Sequence, residues 1–350
     1  PNPQSPIPNP QSPSFIDILI SNKKYIYLKY FIYIKLLKRY MGVCESDNSH
    51  YNNYNKLKID GEIKDLSTDY LLNSSIQEPI GSKYVIYESK IGEGSLGKVF
   101  IGKDKTGKKY AIKTIKKKKI KNGDLLLNEV RIGKNLHHPN ILSIKEIFED
   151  KKTISFVMDY CEGGDLLDFI TKSIDGKLND FLCIEIMIQI LEALNYLHFE
   201  AKVCHRDLKP ENFLINIDEN NKPSVKLIDF GVAQYLFKGQ SLKGKVGTLK
   251  YMAPEIFIKE SYNEKVDIWS AGIILYNMTT GLEAFSINDK EYKKRRILNK
   301  KINFDEIKNE HIRNLCKDML ERNSSKRINA KIALEKARKI REIFFNRHYL

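Results

Sequence analysis

Between residues 205 and 231 the chain places His205-Arg206-Asp207-Leu208-Lys209-Pro210-Glu211-Asn212 ahead of a polar turn and then Leu227-Ile228-Asp229-Phe230-Gly231. Asp207, Lys209, Asn212 and Asp229 are the residue types that phosphoryl transfer from a nucleotide requires. One carboxylate receives the proton of the accepting hydroxyl, an amide and a second carboxylate hold Mg²⁺ on the phosphates, and an ammonium neutralises developing charge. Two apolar runs, 213–217 and 225–228, flank a turn of Asp, Asn and Pro, which predicts a β-hairpin holding the four residues at one edge. Either string alone reads equally well as a strand end with solvated turn acids. The two in order, one hairpin apart, are hard to obtain by chance.

Other elements must position that hairpin. Ile91-Gly92-Glu93-Gly94-Ser95-Leu96-Gly97-Lys98-Val99 lies between β-rich segments at 84–89 and 99–102. Glycines there let the backbone approach phosphates where a Cβ would collide. The same spacing opens dinucleotide-binding units, but those continue into a helix, whereas a strand and a turn at 104–108 follow here. Tyr110-Ala111-Ile112-Lys113 continues the strand, a helix is expected over 125–136 with Glu129 inside it, and 154–158 reads as a buried strand. Asp159-Tyr160-Cys161 follows as a connection, and Gly163-Gly164-Asp165 opens a helix.

These stretches together resemble the eukaryotic protein kinases, through their glycine-rich loop, strand lysine, catalytic loop and Asp-Phe-Gly segment. Residues 247–255 resemble the family's substrate-docking segment and 266–272 its central buried helix, so the likeness covers about residues 84–340. It implies a bilobal α+β fold with a small β-rich N-lobe (83–158) carrying one regulatory helix, a hinge (159–162) and a larger, mostly helical C-lobe (163–345). It implies ATP and Mg²⁺ as cofactors. By the resemblance, Asp207 accepts the hydroxyl proton, Lys209 and Lys113 stabilise phosphate charge, Glu129 pairs with Lys113, and Asn212 and Asp229 hold the metal. The segment from Ile91 to Val99 covers the nucleotide, and Met158 is the gatekeeper. Backbone groups of Asp159 and Cys161 meet adenine, Val99, Ala111 and Leu214 sandwich it, and Asp165 reaches the ribose. Each of these last is, taken singly, also an ordinary core residue. Asp267 is expected to hold the catalytic-loop backbone, and Arg327 to pair with Glu255.

Lys209 two residues after Asp207, with Thr248 in the docking segment, is the serine/threonine pattern. The strings at 91–99, 159–166, 210–214 and 244–255 resemble the calmodulin/calcium-dependent group and its calcium-dependent protein kinases. No DxDxDG string followed by Glu occurs in the sequence, so an EF-hand loop is not read here. Glu211 and Asp165 stand where such kinases read an arginine, so substrates with basic residues upstream of Ser or Thr are expected. Ala337 to Phe345 is basic and apolar, read as the last helix of the domain or the start of an autoinhibitory or calmodulin-binding helix. Two departures stand out. Gly133 occupies a position where the family places a bulky apolar residue, which predicts a gap beside His205 and Phe230. Gly244 stands where many kinases carry a phosphorylated threonine, so Arg206 lacks its usual phosphate partner and activity without phosphorylation there is expected.

A chain of 350 residues with 42% apolar residues can bury a sizeable core. Lys and Arg number 59 against 44 acids, a net +15 that favours anionic partners. Nucleic acid is not expected, because no interleaved aromatic platform accompanies the charge. The five cysteines have neither CxxC spacing nor an even count, which fits a reducing, cytoplasmic setting. Residues 1–40 repeat PNPQSP and then carry lysines too often for a spanning helix, and no signal-peptide cleavage pattern follows. Met41-Gly42-Val43-Cys44-Glu45-Ser46 matches an N-myristoylation signal with a neighbouring palmitoylation cysteine, if Met41 starts the natural protein and 1–40 is upstream sequence. Gly42 and Cys44 would then place the protein on a membrane, beside a basic run at 116–121 able to meet anionic lipid. Residues 41–82 otherwise read as polar linker. A binding or scaffold module of the same fold is the alternative to an enzyme, and the completeness of the residue set speaks against it.

Overall fold

The computed structural model describes residues 79–347 apart from 94–96, 121–122, 221, 238, 286–296 and 300. The lipidation string at Gly42 and Cys44, the segments upstream of Pro79, and Gly94, Ser95 and Leu96 of the glycine string lie outside the described residues. The described fold opens on a tight turn, Ile80–Ser82, whose Ile80 packs on the cluster around Tyr84. The described residues therefore begin within the stretch read from sequence as linker.

Five antiparallel strands follow in the order β1-β2-β3-β5-β4: β1 (Val85–Glu93), β2 (Lys98–Lys103), β3 (Lys109–Lys116), β4 (Glu146–Glu149) and β5 (Thr153–Asp159). Alternation along each strand sends neighbouring side chains to opposite faces. Ile147, Ile154 and Phe156 join Ile115 on one face, while Phe148 and Val157 join Ile112 and Tyr84 on the other. Helix α1 (Gly123–Asn135) covers the first face with Leu126 and Val130, both essentially inaccessible to solvent. Burying such a side chain stabilises by about 1.5–3 kcal/mol, which fixes the height of the helix over the sheet and so of Glu129 over β3.

The larger lobe is built on two helices that are apolar nearly all round, as buried core helices are. Short α2 (Leu166–Thr171) precedes them, capped by Asp165, which accepts from the Asp168 amide at 2.8 Å. Helix α3 (Asp180–Asn195) starts at Asn179, whose side chain accepts from the Leu182 amide at 2.9 Å. After α4 (Glu255–Ile258) comes α5 (Lys265–Thr280), stopped by Gly281 in the left-handed region at φ 71°. Helices α6 (Glu310–Met319) and α7 (Ala330–Arg347) complete the packing. The basic, apolar stretch at 337–345 lies within α7, which buries Ala337, Ile340 and Phe344 and pairs Arg338 with Glu192 of α3 at 2.8 Å. It is thus part of the lobe's core.

This lobe also carries two short strand pairs, β6 (Val203–Cys204) with β9 (Gln234–Tyr235), and β7 (Phe213–Ile217) with β8 (Pro223–Leu227). The second is the hairpin predicted from the flanking apolar runs, with Phe213 opposite Leu227.

Candidate active site

The loop from His205 to Asn212 is held from below by one buried carboxylate. Asp267, on α5, accepts from the amides of His205 and Arg206, each at 2.9 Å, and from His198 Nε2 at 2.9 Å. Burial alone would push its carboxyl up; the His198 bond and the neighbouring donors outweigh that, and its pKa falls below the ordinary value. Asp267 holds the loop backbone as the resemblance implied. His198, Cys204 and Asp267 are close enough together to suggest a metal centre, but the carboxylate oxygens are already engaged by the loop, and the trio reads as a structural lock. Arg206 is bent to φ 69° above it, a conformation that costs a non-glycine residue about 1–3 kcal/mol.

That anchored loop presents Asp207. Its Oδ1 accepts from both the amide and the hydroxyl of Thr248 at 2.7 Å, and its Oδ2 lies 3.4 Å from Lys209 Nζ. Thr248 can approach because Gly247 precedes it at φ 103°; a Cβ there would stand 2.3 Å from the Arg206 carbonyl. Asn212 Nδ2 donates to the Asp207 carbonyl at 2.8 Å, which leaves Oδ1 of Asn212 as the oxygen available to a cation. The Asn212 carbonyl receives the Ile228 amide at 2.9 Å, so the hairpin ties the loop directly to Asp229. Asp229 stands at φ 67° with an exposed side chain. Asp207 and Lys209 thus meet in the loop, and the hairpin joins Asn212 to the strand end that carries Asp229.

Lys113 and Glu129 meet from opposite elements, with Nζ 2.5 Å from Oε1. The other Glu129 oxygen is buried without a partner among the described residues. A Cβ on Gly92 would make only ordinary contact with the Val99 side chain at 3.8 Å, whereas one on Gly97 would fall 2.5 Å from the Thr114 carbonyl. Gly97 is thus required by the approach of β2 to β3 rather than by a ligand. Ile91 and Lys98 are exposed, and Val99 sits opposite Lys113 in the strand register. Ala111 pairs with Met158 across β3 and β5, and Asp159 ends β5. Leu214 is half-buried and bridges Asp165. Cys161, just past β5, has its thiol pushed up to about 11 by burial. Glu93 belongs to β1, its side chain lying outside what the structure describes.

The donors present fit Mg²⁺ and a nucleotide triphosphate. Two oxygen ligands from Asn212 and Asp229 suit a hard cation that keeps waters and phosphate oxygens for its remaining positions. Two ammonium groups accompany them, Lys113 on β3 and Lys209 in the loop.

The docking segment is fixed by a buried ion pair. Arg327 donates to both Glu255 oxygens at 2.6 and 3.0 Å, to the Lys265 carbonyl at 2.9 Å and to the Glu321 carbonyl at 2.8 Å, and its guanidinium lies 5.1 Å from the Trp269 ring centre. Arg206 engages the activation segment without a phosphate, through the Val232 carbonyl at 2.7 Å and the Lys243 carbonyl at 3.2 Å. Tyr262 adds a bond to the Gly244 carbonyl at 2.7 Å.

One expectation is corrected. Gly133 does not leave a gap beside His205 and Phe230, because Ile144 fills the space and its Cδ1 lies 3.3 Å from where a Cβ would be. His205 and Phe230 instead meet edge to face at 5.0 Å. Sequence reasoning also missed Asn128, which stands one residue before Glu129 and donates to three carbonyls beyond Asp229.

The sequence model of the protein kinase domain matches residues 85–337. Among characterised relatives, calcium-dependent protein kinase 3 of Plasmodium yoelii yoelii is 38% identical over 259 residues, covering 72% of this chain and 47% of the relative. Calcium-dependent protein kinase 5 of Plasmodium falciparum is 39% identical over 210 residues, 60% of this chain and 36% of that protein. Calcium-dependent protein kinase 4 of Plasmodium berghei is 36% identical over 253 residues, 70% and 47% respectively. The chain spans less than half the length of these relatives. A two-lobed fold, a catalytic loop locked on Asp267 and a family match over most of the chain meet in one conclusion: this chain belongs to the protein kinase domain family.

Proposed function

We propose that the domain transfers the γ-phosphate of ATP to serine or threonine hydroxyls of proteins. The carrying observation is Asp207, held by Thr248 through Oδ1 with its other oxygen beside Lys209, at the edge that also carries Asn212 and Asp229. The Asp207 carboxylate takes the proton as the hydroxyl oxygen bonds to phosphorus and the bond from phosphorus to the bridging oxygen breaks. Lys209 offsets charge near the acceptor, and Lys113, oriented by Glu129, does so on the nucleotide side. Asn212 and Asp229 would hold the metal, and Mg²⁺ bound there would supply neutralisation of the phosphate oxygens. Positioning and electrostatics carry such a reaction.

Substrates with arginine upstream of the acceptor suit the cleft. Glu211 has one carboxylate oxygen buried without a partner among the described residues, and its charge contributes, after burial, to raising the Tyr251 hydroxyl pKa. An Arg-rich serine peptide with labelled ATP, with and without Ca²⁺ and calmodulin, is the assay; Asp207→Asn is the blank. Transfer that persists unchanged in Asp207→Asn would overturn the assignment, and a response to Ca²⁺ would extend the likeness to the calcium-dependent relatives.

A membrane location is favoured by one surface feature. Lys116 faces Thr153 across the sheet and the Lys117 amide donates to the Lys152 carbonyl at 2.9 Å, so Lys116, Lys117, Lys118, Lys151 and Lys152 share one edge. Among the described residues, Lys117 is the one of these five with a carboxylate partner, Glu149 at 2.7 Å. Each lysine near an anionic surface contributes about 1 kcal/mol. Sedimentation with phosphatidylserine vesicles tests this; binding no stronger than to neutral vesicles would exclude it.

A further inference from the structure

Helix α1 carries Glu129 to Lys113, yet its seat on the sheet does not by itself say how the helix senses Asp229. Its last turns are tied to the larger lobe, with Ile132 and Leu136 in that lobe's apolar cluster and the His137 amide donating to Tyr196 Oη at 3.0 Å. Its first described core contacts, Leu126 and Val130, face the sheet. At the position where a side chain could reach Phe230, the helix has Gly133, and Ile144 fills that space.

Asn128 reaches across instead. Its Nδ2 lies 3.2 Å from the Phe230 carbonyl, 3.2 Å from the Gly231 carbonyl and 2.8 Å from the Ala233 carbonyl. The amide orientation is settled by chemistry, since the flipped form would aim an oxygen at three acceptors. Two N–H groups serve three carbonyls, so the bonds are shared and tolerate little displacement. One turn further on, Arg131 lies over the Tyr235 ring at 5.1 Å, on the same helix face and the same segment.

We propose that Asn128 is a positioning residue: it clamps the backbone immediately after Asp229 to the helix that bears Glu129, so that the metal-binding and lysine-pairing halves of the site form together. This rests on the reading of the domain as a phosphotransferase. In that role Asn128 touches neither nucleotide nor acceptor. It replaces, with a polar clamp, the apolar contact that Gly133 cannot make.

Asn128→Ala and Asn128→Gln test it, the second retaining the amide on a stem one carbon longer. Four quantities decide: kcat, KM for MgATP, melting temperature, and amide hydrogen exchange over 123–135 and 230–235. Three hydrogen bonds of ordinary net strength make a tenfold or greater loss of kcat/KM the expectation for Asn128→Ala. The loss should sit mainly in kcat, with faster exchange in both segments and a small change in melting temperature. Asn128→Gln should recover part of the activity and of the protection. Activity within twofold of the parent and unchanged exchange would overturn the proposal. So would a loss accounted for wholly by unfolding, with the folded fraction fully active. If Asn128→Ala does not fold, Asn128→Gln decides alone: partial activity with partly loosened exchange in both segments supports the clamp, and full activity with native exchange refutes it. If the parent transfers no phosphate, the enzymatic reading fails, and the exchange data still decide whether the two segments are coupled.

Discussion

The floor and the roof of the cleft are built on different principles. On the floor, the catalytic loop rests on Asp267, and the docking segment on Arg327 and Glu255, all at about 1% exposure. On the roof, β1 leaves Val85, Tyr87 and Ile91 substantially exposed, and the Lys113–Glu129 pair, with side chains 17% and 11% exposed, is more accessible than the Arg327–Glu255 pair. A buried polar lock holds one geometry because every alternative strands a charge or donor away from water. A partly solvated tether permits motion at small cost. The larger lobe is thus a fixed bench, and the smaller lobe is a part whose position is set by a few replaceable contacts.

Substitutions on the floor should show the largest effects. Glu255→Gln leaves the Arg327 guanidinium buried without its counter-charge, a change that costs about 3–5 kcal/mol of stability, read by urea denaturation. A variant destabilised by less than about 1 kcal/mol would put the two halves of the cleft on the same footing.

Asp267→Asn should act next, and its signature is a pH dependence. The carboxyl is held below its ordinary value in the fold. Such a group contributes stability that is fully present above the unfolded value, about 3.9, and is lost as pH falls through the lower folded value. Relative to the parent, Asp267→Asn should therefore be less stable by about 1–3 kcal/mol at neutral pH, with the deficit shrinking below about pH 4. Denaturation curves at several pH values check this; a deficit independent of pH would remove the carboxylate from the account.

The roof reverses the order of effects. Lys113→Met should abolish phosphotransfer while costing less stability than Glu255→Gln, because the Lys113–Glu129 pair is more open to solvent than the Arg327–Glu255 pair. Gly133→Leu, at the position where the sequence predicts a gap, should lower stability by about 1–3 kcal/mol through overpacking against Ile144. Thermal melts and peptide assays on both variants separate the two kinds of dependence.

What could be read from sequence follows the same division. Spacing within a loop or hairpin is local, so Asp207, Lys209, Asn212 and Asp229 were found from residue types and turn chemistry. The anchors Asp267 and Arg327 came from resemblance, since no periodicity ties residue 267 to residue 205. Asn128 carries no signal at all: it is a polar residue in an amphipathic helix, and its three acceptors lie about a hundred positions away. Gly133 misled for the same reason. Its missing side chain is visible in sequence, while the chain that fills the space is a matter of packing.

The smallest expected effect concerns the activation segment, which belongs to the floor by its construction. Arg206, the residue that a phosphate would otherwise engage, already donates to the Val232 and Lys243 carbonyls. Leu242 and Tyr262 exchange backbone bonds at 2.9 and 3.0 Å, and Gly244 takes φ 92°, a turn that few other residues would accept. The segment is therefore held by main-chain contacts, and Ser241 is exposed beside them. Ser241→Ala should leave activity within about twofold, as surface substitutions remote from such features do. If activity were abolished, the order of this segment would depend on a modified hydroxyl, and the floor would be no more preassembled than the roof.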